Sequence, residues 1–395
     1  MRSKLLLPLI ALFGIGLLLS LGGDGAKAQA QAQGAICMYY DQTGPGDLSF
    51  NDVSRMGATQ AATEFNLKVT DTVASGSASY LPDLQGMARS GQCLIIIGVG
   101  FLLADALPEA AGNVPDQKFA FVDGTGKGVK NVLGLLFREQ EGGAPVGAIA
   151  ALMAINAGDT LIGAVGGMEI PPVWHYEAGY RFGAHWAVSW YKQHTGKDAQ
   201  ITVNMPYVGR FDDPAGGKTT AQALLQAGAR NLFGVAGGSH LGMFDAVEEA
   251  ARAAGRDMGP PFAYGADTAQ EYIKPGFILA SANKRVNAGT YEAVRRAVQG
   301  GTFGTDIVLG IKDGATGLSS LQDIENFINF AQNAGYKLEG TPAQVEAKIL
   351  QARDSVPYWV WQGAGELMGL ISAGAIQLPQ ADTSDQIGQV RKDYP

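Results

Sequence analysis

The chain has 395 residues, 46% of them hydrophobic, with 29 lysines and arginines against 37 aspartates and glutamates and a formal net charge of −8. Residues 1–34 carry Arg2, Lys4 and Lys27 against Asp24, so removing their +2 leaves −10 on the rest. That balance excludes a nucleic-acid backbone as partner, because neutralising phosphates requires basic patches.

Arg2 and Lys4 precede an apolar run from Leu5 to Leu21, and small-residue sites follow at Ala26-Lys27-Ala28 and Ala28-Gln29-Ala30. This is the pattern of a secretory signal peptide over residues 1–34. The run is close to membrane-spanning length, so an uncleaved anchor is the alternative. Pro8 and the Ala/Gln/Gly stretch favour cleavage. No cysteine ends the run, so the lipoprotein route is not expected. No later segment is long and apolar enough to span a bilayer.

The roughly 360 residues that follow exceed what one hydrophobic core usually serves, so two domains are expected. Strand-like runs occur at Ile36–Tyr40, Leu94–Gly98, Phe119–Val122, Leu161–Val165, Ile201–Val208, Leu232–Val235, Phe262–Tyr264 and Ile307–Ile311. Helical patterns lie between them, at Val53–Phe65, Pro145–Asn156, Ala178–His194, Gly217–Ala227 and Leu241–Ala254, with Val286–Gln299 after them. Near-continuous apolar strands alternating with helices specify an α/β fold with doubly wound parallel sheets. The series restarts near residue 160. The last part is less regular, with Leu321–Ala334, a helix start at Thr341-Pro342-Ala343-Gln344, and a polar tail over 381–395 expected to be loosely held.

Cys37 and Cys93 lie near the starts of predicted strands that would be neighbours in a sheet of order 2-1-3. A disulfide and two buried thiols both fit that placement. Neither cysteine has a metal-ligand pattern around it.

The four histidines, His175, His185, His194 and His240, form no HExxH or HxH pattern. Ser239 follows two glycines without a nucleophile elbow, and Gly163–Gly167 has no P-loop continuation. Asp41, Asp47 and Asp52 offer carboxylates for a divalent cation, which would suit a nucleoside hydrolase. Asp47 and Asp52 equally suit a turn and helix cap. What remains is a set at predicted strand ends: Asp41, Phe50, Asn51, Asp123, Glu141, Trp174, Phe211, Asp267 and Lys284. Carboxylates accept paired hydroxyls, aromatic faces stack on a flat ring, and ligands bind at the carboxyl ends of such strands.

The run Asp41-Gln-Thr-Gly-Pro-Gly-Asp47-Leu-Ser49-Phe50-Asn51 resembles the opening motif of the basic membrane protein family, solute receptors of ABC transporters that include a purine nucleoside branch. Leu94–Phe101, Phe119–Gly124, Phe137–Gly142, Gly166–Pro171, Glu177–Tyr180, Tyr207–Pro214, Ala236–Gly238 and Lys284–Val286 are similar to further family motifs in the same order. The resemblance covers about residues 36–300.

It implies a type I periplasmic-binding-protein fold, two lobes joined by a three-strand hinge with the ligand between them. The lobes would be 35–158 plus about 282–310, and 159–281 plus about 311–380. Phe50 and Phe211 would sandwich a purine, Asp41, Asn51 and Asp123 would face the ribose, Asp267 would read the base, and Lys284 would donate to the sugar. Gly238 would line the cleft, and Trp174 would add a third aromatic wall or pack on the hinge. The resemblance implies a periplasmic monomer that serves an inner-membrane ABC permease, with no cofactor, no metal and no catalysis. A free nucleobase or other small polar solute as ligand, and a sensory rather than transport partner, are the alternatives. Most of that family carry a lipid-accepting cysteine, which this sequence lacks.

Overall fold

The computed structural model describes residues 34–395, so the expected signal peptide, but for Gly34, lies outside the described residues. One sheet contains β1 (Ala35–Tyr40), β2 (Val69–Val73), β3 (Cys93–Val99), β4 (Phe119–Val122), β5 (Val132–Phe137) and β11 (Thr305–Leu309), in the order β11-β5-β4-β3-β1-β2. The other contains β6 (Leu161–Gly166), β7 (Thr202–Asn204), β8 (Asn231–Val235), β9 (Phe262–Asp267), β10 (Ile278–Lys284) and β12 (Thr316–Leu318), in the order β12-β10-β9-β8-β6-β7. Every pairing is parallel except that of β12 with β10. The central strands read AICMYY, CLIIIGV, FAFV and VLGLLF and are almost wholly buried, because helices cover both faces of such a sheet. The second strand of the later series is shorter than expected. Pro206 supplies no backbone donor, and pairing resumes only as a single bridge between Gly166 and Tyr207.

The chain passes between the sheets at Arg138, at Arg285 and across residues 310–315. The first passage differs from the expected boundary at 158. Helix α4 (Glu139–Ala157) packs on β6, β8 and β10 and on α5 (Pro171–Thr195), so residues 139–158 lie with the second sheet. Likewise β10 belongs to the second sheet, and the return to the first begins at Arg285 rather than 282.

Small residues explain the α4–α5 contact. A Cβ at Gly147 would stand 2.0 Å from Tyr180 O, and one at Gly183 would stand 1.9 Å from Ala144 O. The two backbones therefore approach more closely than ordinary side chains permit. Pro171 and Pro172 start α5, where a missing N–H costs nothing. The helix accordingly begins seven residues before the expected Ala178 and places Trp174 in a helix rather than in a loop.

The last quarter of the chain is helical: α9 (Leu321–Asn333), α10 (Pro342–Asp354), α11 (Tyr358–Ser372) and α12 (Ser384–Asp393). Thr341 caps α10 as its sequence signal indicates. The polar tail is not loose. Ala381, Ile387 and Val390 are buried against Trp174 and Ala178. Arg391 donates to Glu177 at 2.9 and 2.8 Å, and Val203 N–H donates to Pro395 O at 3.3 Å.

Cys37 on β1 and Cys93 on neighbouring β3 form a disulfide, with Cα atoms 5.7 Å apart. It closes a loop across a sequence separation of 56 residues. A closure of that length restricts the unfolded chain by about 4 kcal/mol in the entropic account. Replacing both cysteines with serine should lower unfolding free energy by about 2–4 kcal/mol in urea titrations while preserving the far-ultraviolet circular dichroism spectrum. An unchanged midpoint would contradict the pairing.

Candidate functional site

A cavity lies over the carboxyl ends of the central strands and takes its walls from both sheets. Asp41 follows β1, Asp123 follows β4, and Phe50 and Asn51 begin α1 (Phe50–Phe65). From the other side come Asp267 at the end of β9, Lys284 at the end of β10, Phe211, and Val173 and Tyr176 of α5. Asp41, Phe50, Asn51, Asp123, Phe211, Asp267 and Lys284 thus line one cavity. Gly238 is not among the lining residues, although its neighbour Gly237 is. Trp174 lies under α12 rather than on the cavity wall. Glu141 accepts Ile311 N–H at 2.6 Å, in the passage between the sheets.

Lys284 is the electrostatic centre. It is 1% exposed. Its Nζ donates to Asp123 Oδ2 at 2.6 Å and meets Glu139 Oε1 at 2.9 Å. It also stands 5.0 Å from the Phe50 ring centroid, a favourable cation–π placement. Burial opposes the ammonium charge, but Asp123, Glu139 and Asp267 outweigh it and raise the lysine above its ordinary value. Burial pushes Asp123 up, Lys284 pulls it down, and the Glu139 charge adds to the rise, with a net upward shift. Its second oxygen, Oδ1, is buried with no protein partner among the described residues. An unpaired buried acceptor costs about 1–3 kcal/mol.

Asp123 and Asp267 occupy equivalent places, each ending the fourth strand counted from the β2 or β7 edge. Both adopt left-handed backbone, with φ of 65° and 68°. Aspartate tolerates that region better than most residues, and such strain concentrates at functional sites. Both Asp267 oxygens have donors, Tyr176 Oη at 3.1 Å and Ser49 Oγ at 3.2 Å. Ser49 precedes α1, so this bond joins the two sides of the cavity.

Glycines seat the other walls. Gly100 has φ of 110°, and a Cβ there would stand 2.1 Å from Asp41 Oδ2. Its absence lets the carboxylate settle on the loop and accept Leu102 N–H at 3.3 Å. A Cβ at Gly167 would stand 2.2 Å from the Phe211 ring, so this glycine makes room for the aromatic wall. The Asn51 amide donates to Thr43 O and Oγ1 at 2.9 and 2.8 Å.

Asp47 and Asp52 shape the loop. Asp47 accepts N–H groups of Ser49, Asn51 and Asp52, and Asp52 accepts those of Gly46 and Leu48. Among the described residues no group of three or more His, Cys, Asp or Glu side chains is arranged for a metal. His240 is buried, pushed down to about 3 by that burial, and accepts from Gln270 at 2.8 Å. His194 stacks on Trp190 at 4.1 Å. Tyr176 and Val173 are site residues absent from the sequence-derived set. A helix started at the Pro171-Pro172 pair would have put these two, three apart, on one face.

Residues 36–347 match the family of ABC transporter substrate-binding proteins described as PnrA-like, the Bmp family. The chain belongs to the Bmp family. An uncharacterised lipoprotein of Pyrococcus horikoshii is 37% identical over 99% of this chain and 95% of its own length. The nucleoside-binding protein BmpA of a Lactococcus lactis ABC transporter is 28% identical over 85% of this chain and 92% of its own. A solute-binding protein of an ABC transporter system from Aeropyrum pernix superposes with a TM-score of 0.84 at 36% identity, covering 91% of this chain and 97% of that one. Bmp proteins are extracytoplasmic solute receptors, not enzymes, and they work with membrane permeases. Several archaeal relatives are named lipoproteins, whereas both cysteines of this Bmp protein are paired with each other.

Burial pushes the Asp41 carboxyl up to about 7, against a partial offset from the Leu102 N–H. A carboxyl raised above its unfolded value adds stability below about pH 4 that is lost as pH rises through 7. Asp41→Asn should therefore leave stability at pH 4 nearly unchanged and raise it at pH 8 by about 2 kcal/mol, since a tenfold change in acidity corresponds to about 1.4 kcal/mol and relaxation absorbs part of the total. Thermal unfolding of ligand-free protein at both pH values measures this, and parallel profiles would contradict it.

Proposed function

We propose that this Bmp protein is the receptor of an ABC importer and captures a purine nucleoside in the cavity between its two sheets. The observation that carries the reading is the unpaired, buried Oδ1 of Asp123 in a cavity also lined by Asp41, Asn51 and the rings of Phe50 and Phe211. A ligand hydroxyl would satisfy that oxygen, and charge-assisted bonds of this kind are the stronger class. Ribose offers adjacent hydroxyls, and Asp41 lies on the same side of the cavity as Asp123.

Phe50 and Phe211 would take the two faces of the base, with about 0.5–1.5 kcal/mol beyond burial from each good ring pair. Asp267 would accept ring N–H groups, its orientation already set by Tyr176 and Ser49. Lys284 uses two of its three N–H groups on Asp123 and Glu139, and the third would reach the sugar. Contact with both sides at once gives the ligand its preference for a closed arrangement. The protein would act outside the cytoplasm as a monomer and hand its ligand to a permease. The Lactococcus relative named as nucleoside-binding supports this choice of ligand class.

Calorimetric titration with inosine, guanosine, adenosine and adenine tests the ligand class. One-to-one binding of a nucleoside with adenine weak is the expected result, and preference for adenine would shift the reading to a nucleobase receptor. Phe50→Ala and Asp41→Ala should each weaken nucleoside binding at least about tenfold, equal to 1.4 kcal/mol, with the folded spectrum retained. Unchanged affinity in both variants would overturn the site assignment.

A further inference from the structure

A line of charged hydrogen bonds leaves the cavity and ends on the C-terminal segment. Lys284 meets Glu139 Oε1 at 2.9 Å. The other Glu139 oxygen bonds His175 Nδ1 at 2.9 Å. His175 Nε2 bonds Asp382 Oδ1 at 2.8 Å. Glu139 opens α4 and His175 lies in the first turns of α5, so the glycine-mediated contact of these helices brings the two side chains together. Asp382 stands two residues before α12, ahead of its N-cap Thr383, and the helix is fastened by Arg391 on Glu177 and by Ile387 and Val390 on Trp174.

We propose that the segment 381–395 is a strap that positions the binding lysine: Asp382 holds His175, His175 holds Glu139, and Glu139 holds Lys284 beside the Phe50 ring. His175 and Asp382 are positioning residues in this account, since neither lines the cavity that holds Asp41 and Phe50. Only an imidazolium donates from both ring nitrogens. A neutral ring donates to one carboxylate and turns a lone pair on the other, which breaks the line at Glu139 or at Asp382.

Glu139 faces His175 from α4 and Asp382 from the strap, and Asp123 after β4, with the ion-paired Lys127 and Asp105 of the first sheet's loops, shares the adjoining cavity. Burial opposes the imidazolium, but Glu139 and Asp382 outweigh it and raise the ring above its ordinary value. Glu139 is kept below its ordinary range: burial works against its charge, and Lys284 and His175 overcome that. The strap is therefore complete below the raised histidine value and opens above it.

The affinity arm rests on the nucleoside reading, so a ligand-free arm accompanies it. In ligand-free protein the His175 ring is followed by NMR against pH. Asp382→Asn should lower its midpoint by about half a pH unit or more, and Lys284→Gln, across Glu139, should raise it. Should Lys284→Gln fail to fold, Asp123→Asn replaces it and should lower the midpoint. In the second arm inosine affinity is measured from pH 5.5 to 9. Asp41 and Asp123 ionise in the same range but are common to all the proteins compared, so the difference between Asp382→Asn and wild type isolates the histidine.

The expected result is that wild-type affinity carries a downward step at the His175 midpoint, that Asp382→Asn moves the step to lower pH, and that His175→Gln removes it. His175→Gln should also bind about three- to tenfold more weakly at pH 6.5, the scale of one lost charged hydrogen bond partly rearranged. Asp382→Glu should restore the wild-type profile. A merely structural tail would lower the melting temperature and leave the affinity profiles superimposed, and that result overturns the proposal. A His175 midpoint indifferent to both Asp382→Asn and the Lys284 or Asp123 variant overturns it as well. Failure of wild-type protein to bind inosine would overturn the nucleoside reading, and the ligand-free arm would still decide the strap.

Discussion

One buried ammonium organises this molecule. Lys284 ends a strand of the second sheet, yet its nearest partner, Asp123, ends a strand of the first. An unpaired charge at that depth would cost several kcal/mol, so the lysine is tolerable only while its carboxylates stay in place. Glu139 and Lys284 lie beside points where the chain changes sheets, and Asp123 lines the cavity just after β4. The ion cluster therefore ties the passage between lobes to the floor of the cavity. More carboxylates than cations surround it, and that surplus leaves an acceptor for a ligand rather than a closed, satisfied network.

Around this centre the backbone is shaped more by what is missing than by what is present. Gly100 and Gly167 leave space that a Cβ would fill, and Asp41 and Phe211 occupy it. Gly147 and Gly183 do the same for two helices, and their close approach brings His175 to Glu139. Asp123 and Asp267 carry strained left-handed backbone at matching strand ends. The two halves thus present one acid each by the same local device, although no sequence repeat relates them.

The parallel α/β class and most of the cavity are legible in the sequence because both follow from local signals. Continuous apolar runs mark eight of the twelve described strands, with ends that carry Asp41, Asp123 and Asp267, whereas β2, β5, β10 and β12 are not among those runs. The cysteine pairing is not decided at that level, since adjacency of strands does not settle side-chain direction. The tail, the α4 boundary and Trp174 are not legible, and each depends on contacts far apart in sequence. Arg391 meets Glu177 across 214 residues, and Asp382 meets His175 across 207. A polar sequence such as residues 381–395 looks unattached when its partners are buried carboxylates elsewhere. Tyr176 escapes notice because the proline-started first turns of α5 carry the composition of a loop.

The central claim is that buried carboxylates read a pair of ribose hydroxyls. The most direct measurement compares inosine with its 2′,3′-dideoxy analogue by calorimetry on ligand-free protein at pH 7. Both compounds offer the same base to Phe50, Phe211 and Asp267. A site whose buried acceptors need those hydroxyls should bind the dideoxy compound at least about a hundredfold more weakly, because the acids are then left unpaired. Equal affinity for the two would contradict the account.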